Sequence, residues 1–331
     1  MIERFGTIDG APVSRVTIAG GGLVARIIDW GAAVQDLRME GHPHPLVLGF
    51  DEAAHYPRHS PHFGAIAGRF ANRIAGGRLE LDGRLHQLDR NDHGRHCLHG
   101  GSAGTGRRRW RFAATTPDSA TLQLVCPDGE MGFPGRLDIS CTYGLAEGAL
   151  RVTLTATADA PTLCNLAHHG YFNLTDGGRG TVRDHLLTVH AAAFTETDAE
   201  LIPTGAVRPL AGTPFDFRRP AAIGDAARPV DLNFCLAPAR RAPRHAATLV
   251  STTTGIALDV WTTEPGLQVY DGAGIPTRPP GLDGIGYRPF SGVALEPQLW
   301  PDSPRWPHFP QAVLRPGEIY SQHSEFRFRR G

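Results

Sequence analysis

The sequence predicts an all-β fold, a sandwich of two large packed antiparallel sheets, and three observations predict it. Gly and Pro are dense and scattered, 40 and 27 of 331 residues. Helices of ordinary length, ~11–12 residues, rarely survive such punctuation, whereas strands of ~5–6 residues fit between the breaks. Apolar and polar residues alternate with period two in the best-patterned segments, and tight-turn dipeptides separate those segments.

Taken in order, Arg78-Leu79-Glu80-Leu81 and the stretch Arg84 to Leu88 flank Asp82-Gly83, a pair suited to a primed two-residue turn, so they read as a hairpin. Leu137, Ile139, Cys141 and Tyr143 alternate with Arg136, Asp138, Ser140 and Thr142. After a turn at Glu147-Gly148, Leu150, Val152, Leu154 and Ala156 alternate with Arg151, Thr153, Thr155 and Thr157, so each strand has one wet and one dry face. The stretch from Thr181 to Ile202, the longest free of Gly and Pro, has room for a helical turn or two, while its Val, Thr and Phe content keeps a strand open. A third hairpin is expected to run from Ile256, Leu258 and Val260, after the Thr254-Gly255 turn, to Leu267, Gln268, Val269 and Tyr270. No repeat, low-complexity tract or linker interrupts the pattern, which predicts one domain over residues 1–331.

Composition removes several function classes. Basic and acidic residues balance at 33 each, which argues against a general polyanion binder such as a nucleic-acid protein. Every basic residue is Arg. Without Lys the chain offers no Schiff-base nucleophile, no pyridoxal phosphate anchor and no Walker-type phosphate loop. No apolar run approaches the ~20 residues that span a bilayer, and the first residues lack the basic-then-apolar pattern of a signal peptide. The five cysteines (97, 126, 141, 164 and 235) are odd in number and contain no CxxC. They read as small buried or free thiols in a reducing, cytoplasmic setting.

Chemistry-bearing residues cluster in three places. In Asp92-His93-Gly94-Arg95-His96-Cys97-Leu98-His99-Gly100-Gly101 a polar loop, a zinc site and a cleft-facing His99 acting as a donor are all open, although one loop provides no second half for a metal site. In Asn165 through Leu174, adjacent His168 and His169 on a strand point to opposite faces, so one can face a site as general acid or base. A buried structural histidine is the competing reading. In Phe290 through Gln298 an apolar strand leads to Glu296, and Pro297 is expected to stop it. A carboxylate there is partly desolvated and its pKa rises toward useful base strength. Asp231 is a lone acid of similar setting. Gly101 to Gly106 follows no predicted strand, so it is a poor dinucleotide loop, and Arg107-Arg108-Arg109 reads as a solvated edge rather than a phosphate site.

Seven segments in order resemble the aldose 1-epimerase (galactose mutarotase) family over nearly the whole chain. Gly68 through Gly77 is similar to GRxANRIxxG, Leu98-His99-Gly100-Gly101 to LHGG, and Pro127 through Gly135 to PDGExGYPG. Asn165 through Leu174 is similar to NLTNHSYFNL, Leu201 through Gly205 to LIPTG, Asp231 through Phe234 to DHNF, and Leu295 through Gln298 to LE(T/P)Q. The resemblance implies a large β-sandwich of the galactose mutarotase-like type with an open cleft on one sheet. It implies His169 as catalytic acid and Glu296 as catalytic base, with Asn72, Arg73, His99, Asp231 and Gln268 contacting the sugar. It implies no cofactor or metal, and as partner a small sugar such as galactose or glucose, bound by a monomer or homodimer with no nucleic acid or membrane.

Four departures stand beside the expected ligands: His168 for the family's usual Asn, Gly170 for Ser, Leu232 for His, and Tyr270-Asp271-Gly272 for a YxGN pattern. They leave the sugar preference open, with arabinose, xylose and fucose among the candidates. The alternatives to an epimerase are a non-catalytic carbohydrate-binding protein on the same fold, a glycosidase using Asp231 and Glu296, and a sugar-phosphate epimerase holding phosphate with Arg107–Arg109.

Overall fold

The computed structural model describes residues 1–59, 62–226 and 229–331. Among them regular structure is almost wholly strand, with short 3-10 turns and one short α-helix, Tyr56–His59. The largest sheet has nine antiparallel strands. Its order is Arg111–Thr115, Ser119–Cys126, Leu137–Ala146, Ala149–Ala158, Tyr320–Arg330, Ile256–Thr262, Arg244–Val250, Leu186–Val189 and Ala221–Ala222. Opposite it a six-stranded sheet runs Tyr171–Phe172, Val293–Gln298, Gly266–Tyr270, Asp231–Cys235, Ala193–Thr197, Pro203–Pro209. The N-terminal strands Ile2–Ile8, Ala11–Gly20, Leu23–Ile28 and Val34–Met39 form a four-stranded meander.

Alternation along the strands builds the core between these sheets. Leu137, Ile139, Cys141, Tyr143 and Leu145 are buried while the residues between them are partly wet, as the period-two pattern requires. Val16, Ile18 and Leu23 of the meander join Leu122, Leu154, Leu249 and Leu258 of the large sheet, and Leu232, Leu267, Val269 and Leu295 of the six-stranded sheet, in one apolar cluster. Each fully buried aliphatic side chain of this kind stabilises by roughly 1.5–3 kcal/mol. All five cysteines are free, and Cys97, Cys126, Cys141 and Cys164 are buried. Among the described residues no helix is long and apolar enough to cross a membrane.

The two tight hairpins form as expected. Asp82 and Gly83 take φ of 49° and 74°, both left-handed as a type I′ turn demands, and Arg78–Leu81 pairs with Arg84–Gln87. The stretch from Thr181 to Ile202 contains both of its expected forms, a 3-10 turn at Val182–Asp184 followed by strands Leu186–Val189 and Ala193–Thr197.

Two expectations are corrected. The strand Ile256–Thr262 does not form a hairpin with Gly266–Tyr270. Both of its edges are taken, by Arg244–Val250 and by Tyr320–Arg330, so the chain crosses at Thr263-Glu264-Pro265 to the other sheet. Buried Glu264 at that crossing is paired with Arg240 at 2.6 Å. Nor does Pro297 stop its strand, which continues to Gln298. Over Glu296–Gln298 the ladder partner is Gly266–Gln268 on one side, while Tyr171–Phe172 on the other side pairs only as far as Val293 and Ala294. A proline without an N–H is tolerated on such a one-sided stretch.

Candidate active site

The polar face of the six-stranded sheet carries Asp231, Gln268 and Glu296 because of the same alternation that buries its apolar face. Gln268 and Glu296 are direct cross-strand neighbours, as are Asp231 and Tyr270. Between them Leu267, Val269, Leu295 and Leu232 point into the core. Leu232 therefore never meets the cleft, and its departure from the family pattern concerns packing between the sheets. Gln268 Nε2 donates to Asp231 Oδ1 at 2.5 Å, fixing both side chains.

His169 enters from the strand Ala167–His169, whose partner is Ala65–Ala67 with His169 opposite Ala65. The two neighbouring histidines separate as a strand dictates. His168 packs between the sheets at 6.0 Å from Tyr143 and 5.3 Å from Phe326, ring centre to ring centre, while His169 faces the cleft. His169 Nε2 lies 3.5 Å from Glu296 Oε2. Both residues are almost wholly buried, at 4% and 2% exposure.

The segment Gly68 through Gly77 divides its two arginines between scaffold and cleft. The buried Arg69 guanidinium donates to the carbonyls of Cys126, Pro127, Pro134 and Gly135 and to Thr162. Arg73 lines the cleft, with Nε held by Asp92 at 2.8 Å. Asn72 sits at a left-handed φ of 66°, its Oδ1 accepting from the Arg73 N–H at 2.8 Å, a local bond that suits Asn in this conformation.

His99 also has positive φ, 50°, and its Nδ1 accepts from the Asn72 N–H at 3.2 Å. In the neutral ring the proton is then on Nε2, so His99 presents a donor. Gly100 is required behind it: φ is 83° and a Cβ would stand 2.0 Å from the Gly68 carbonyl oxygen.

Together these groups surround a cleft of about 480 Å³ lined by Asn72, Arg73, His99, His169, Asp231, Gln268 and Glu296. The structure thus brings all seven sequence-expected residues to one place. The cleft is lined as well by Leu98, Leu201, Pro229, His62, Tyr171 and Tyr270, and the sequence assigned the last three no role in it. Tyr171 and Tyr270 are two positions beyond His169 and Gln268, so period two was the available signal. His62 carries no local signal, because only strand pairing brings it to His169. The other histidines of the first cluster lie elsewhere. His93 is exposed, and His96 is bound to Glu200 at 3.0 Å.

Burial decides the electrostatics. It pushes the Glu296 carboxyl well above the usual carboxylate range, with Asp231 reinforcing it and Arg73 opposing it. Burial pushes His169 down to about 4. Asp231 is also raised, chiefly by burial, against the pull of Arg73 and the Gln268 hydrogen bond. Burial thus disfavours charge on both members of the pair, raising the Glu296 carboxyl and lowering the His169 imidazole.

Among the described residues one trio, His99, His169 and Glu296, has potential metal-ligand atoms within 4.8 Å of one another. The donor set does not suit a metal, because the His99 Nδ1 lone pair is committed to Asn72 and its Nε2 carries the proton. Two ligands remain, fewer than the three of a catalytic zinc site. Arg107, Arg108 and Arg109 do not line the cleft, and they bond to the Pro57 carbonyl, Glu130 and Asp29 respectively. That removes the phosphate-holding role weighed for them.

Fold and site together define a β-sandwich with a buried histidine–glutamate pair in an open polar cleft. The sequence pattern of the family described as aldose 1-epimerase matches residues 14–327. The galactose mutarotase of Bos taurus is 39% identical over 310 residues, covering 91% of this chain and 90% of that protein. The aldose 1-epimerase of Escherichia coli is 35% identical over 339 residues, covering 97% and 96%. A solved structure of a GalM/aldose epimerase homologue from C. elegans superposes with a TM-score of 0.89 at 30% identity, covering 96% of this chain and 99% of that one. The chain belongs to the aldose 1-epimerase family.

Proposed function

We infer that the protein is an aldose 1-epimerase, an isomerase that interconverts the α and β anomers of a free aldose such as galactose or glucose. The observation that carries this reading is the buried His169–Glu296 pair, 3.5 Å apart in a cleft lined with hydroxyl-binding groups. Anomer exchange requires opening the hemiacetal, turning about C1–C2 and reclosing on the other face of the aldehyde. Opening needs one proton delivered to the ring oxygen and one taken from the anomeric hydroxyl. His169 is assigned the first task and Glu296 the second, with roles exchanged on closure.

Proton count makes this economical. The form with a protonated His169 and an ionised Glu296 differs from the uncharged pair only in where one proton sits. Sugar hydroxyls and Arg73 solvate the carboxylate once the cleft is filled, so the charged form becomes accessible there. The His99 Nε2–H is a donor suited to charge developing on a sugar oxygen, and the Asp231–Gln268 pair suits hydroxyls that must stay fixed while C1 turns.

Polarimetry on freshly dissolved α-D-galactose and α-D-glucose tests the reading. The protein is expected to hasten the approach to anomeric equilibrium. Sugar binding with no change in the spontaneous rate would instead indicate a carbohydrate-binding protein.

The acid side of the pH dependence follows from the lowered His169. A second proton inactivates the pair by occupying the base, and it must enter His169, which burial has pushed down to about 4. Activity is therefore expected to persist on the acid side to about pH 4, after subtraction of the spontaneous reaction. An acid midpoint near 6.5, the ordinary histidine value, would contradict the buried pair.

A further inference from the structure

His169 makes no hydrogen bond through its Nδ1, which is buried without a partner. Orienters of catalytic histidines are commonly carboxylates or carbonyls bonded to the second ring nitrogen. Here aromatic rings surround the imidazole instead. The His62 ring lies 5.3 Å away and within 19° of parallel, and the Tyr171 ring lies 5.0 Å away and within 27° of parallel. His99 stands edge-on at 5.2 Å and 68°. The flanking rings are themselves braced. Tyr171 packs against Phe63 at 5.1 Å and Tyr270 at 6.1 Å, and His62 packs against His99 at 4.3 Å.

The chain supplies this arrangement economically. Tyr171 follows His169 by two residues, and His62 precedes the strand Ala65–Ala67 that pairs with Ala167–His169. The Gly64 N–H bonded to the His169 carbonyl at 3.0 Å ties the His62 segment to the catalytic residue.

We propose that His62 is a positioning residue for the epimerisation, forming with Tyr171 a two-ring clamp that holds the His169 imidazole toward Glu296 and keeps water from its buried edge. The inference rests on the epimerase reading for its kinetic consequence. Flat rings restrict tilting of an imidazole while leaving both of its nitrogens unbonded, so the proton can leave Nε2 without breaking a bond at Nδ1. An uncharged His62 suits the role, because a cation stacked on His169 would oppose its protonation. Burial, then His169 and Arg107, hold His62 well below the ordinary histidine range.

The titratable groups facing His169 are His62, His99, Tyr171 and Glu296, with Asp231 and Arg73 acting on Glu296, while His168 points to the opposite side. His62→Ala opens one side of the clamp and His62→Phe keeps a flat ring without nitrogens. The Ala variant is expected to lower kcat by about tenfold, as small losses of alignment do, with KM within about twofold. The Phe variant is expected to stay within about threefold of wild type.

Ring signals in isotope-labelled protein, assigned with His169→Asn, give a second readout. The His169 midpoint is expected to move up from about 4 in the Ala variant, because water relieves burial, and to stay low in the Phe variant. An unchanged kcat and midpoint in the Ala variant would overturn the clamp. So would a Phe variant as impaired as Ala with a raised KM, which would make His62 a sugar contact. If wild-type protein fails to hasten anomerisation, the epimerase reading falls, while the ring signals still decide the clamp.

Discussion

Replacing Glu296 by Gln is expected to slow catalysed anomerisation by about three orders of magnitude while sugar affinity changes by less than about threefold, since a positioned acid or base contributes roughly 10²–10⁴-fold. The substitution is nearly isosteric and the site accepts it, because Glu296 Oε2 makes no hydrogen bond that an amide would break. What disappears is the ability to hold or release a proton 3.5 Å from His169 Nε2. His169→Asn is expected to lose a similar factor. The double variant should lose little more than either single one, since the two groups act as one proton-sharing unit. Polarimetry gives the rates and calorimetric sugar titration the affinities. A loss below tenfold in both single variants, with binding intact, would move the chemistry to other residues.

The second large effect is on stability. Gly170→Ser is expected to destabilise the protein by about 2–3 kcal/mol, the scale of overpacking a filled core. A Cβ at 170 would lie 2.6 Å from His168 Cε1 and 3.3 Å from both His168 Nδ1 and Phe172 Cζ. His168 has little room to yield, being buried against Tyr143 and Phe326. Adding His168→Asn should restore most of the loss, and denaturant unfolding of the two single variants and the double one measures that coupling. Additive costs would refute it. The two departures from the family pattern at 168 and 170 are thus one accommodation, a larger ring and the side chain removed to admit it.

His168 also makes stability depend on pH. Burial lowers it from 6.5 to about 3, so between those values the unfolded chain binds a proton that the folded one does not. Stability therefore falls as pH falls through that window, by up to ~1.4 kcal/mol per pH unit from this group. The His168→Asn variant should show a shallower acid decline.

How legible this molecule was in its sequence depends on how local each feature is. The strands Leu137–Ala146 and Ala149–Ala158 and the Asp82-Gly83 turn are set by neighbours along the chain, so period and turn chemistry suffice. Six of the seven expected cleft residues were legible through short motifs, while Gln268, outside every motif, was legible only through the overall resemblance. Partner choice was not. Nothing within Ile256–Thr262 tells that its free edge will be filled by Tyr320–Arg330 and not by the next strand. For the same reason Leu232, adjacent to Asp231, could be assigned to the cleft until the sheet gave each face its side. Pro297 misled because proline is excluded from a strand only where its missing N–H would face a partner.

The position of Tyr320–Arg330 bears on how the protein is made. That strand lies in the middle of the nine-stranded sheet, between Ala149–Ala158 and Ile256–Thr262. Its Tyr320 hydroxyl accepts from the Leu166 N–H at 3.1 Å, and its Gln322 donates to the Pro297 carbonyl at 2.9 Å, so it braces the backbone near both His169 and Glu296. During synthesis on the ribosome the strands of both halves of the sheet emerge before the strand that joins them, leaving two edges of unpaired backbone N–H and C=O groups. Such distant pairing slows folding and leaves the nascent chain dependent on protection from aggregation until the joining strand arrives. The braces on the backbone beside His169 and Glu296 thus come from the last strand of the described chain to be synthesised.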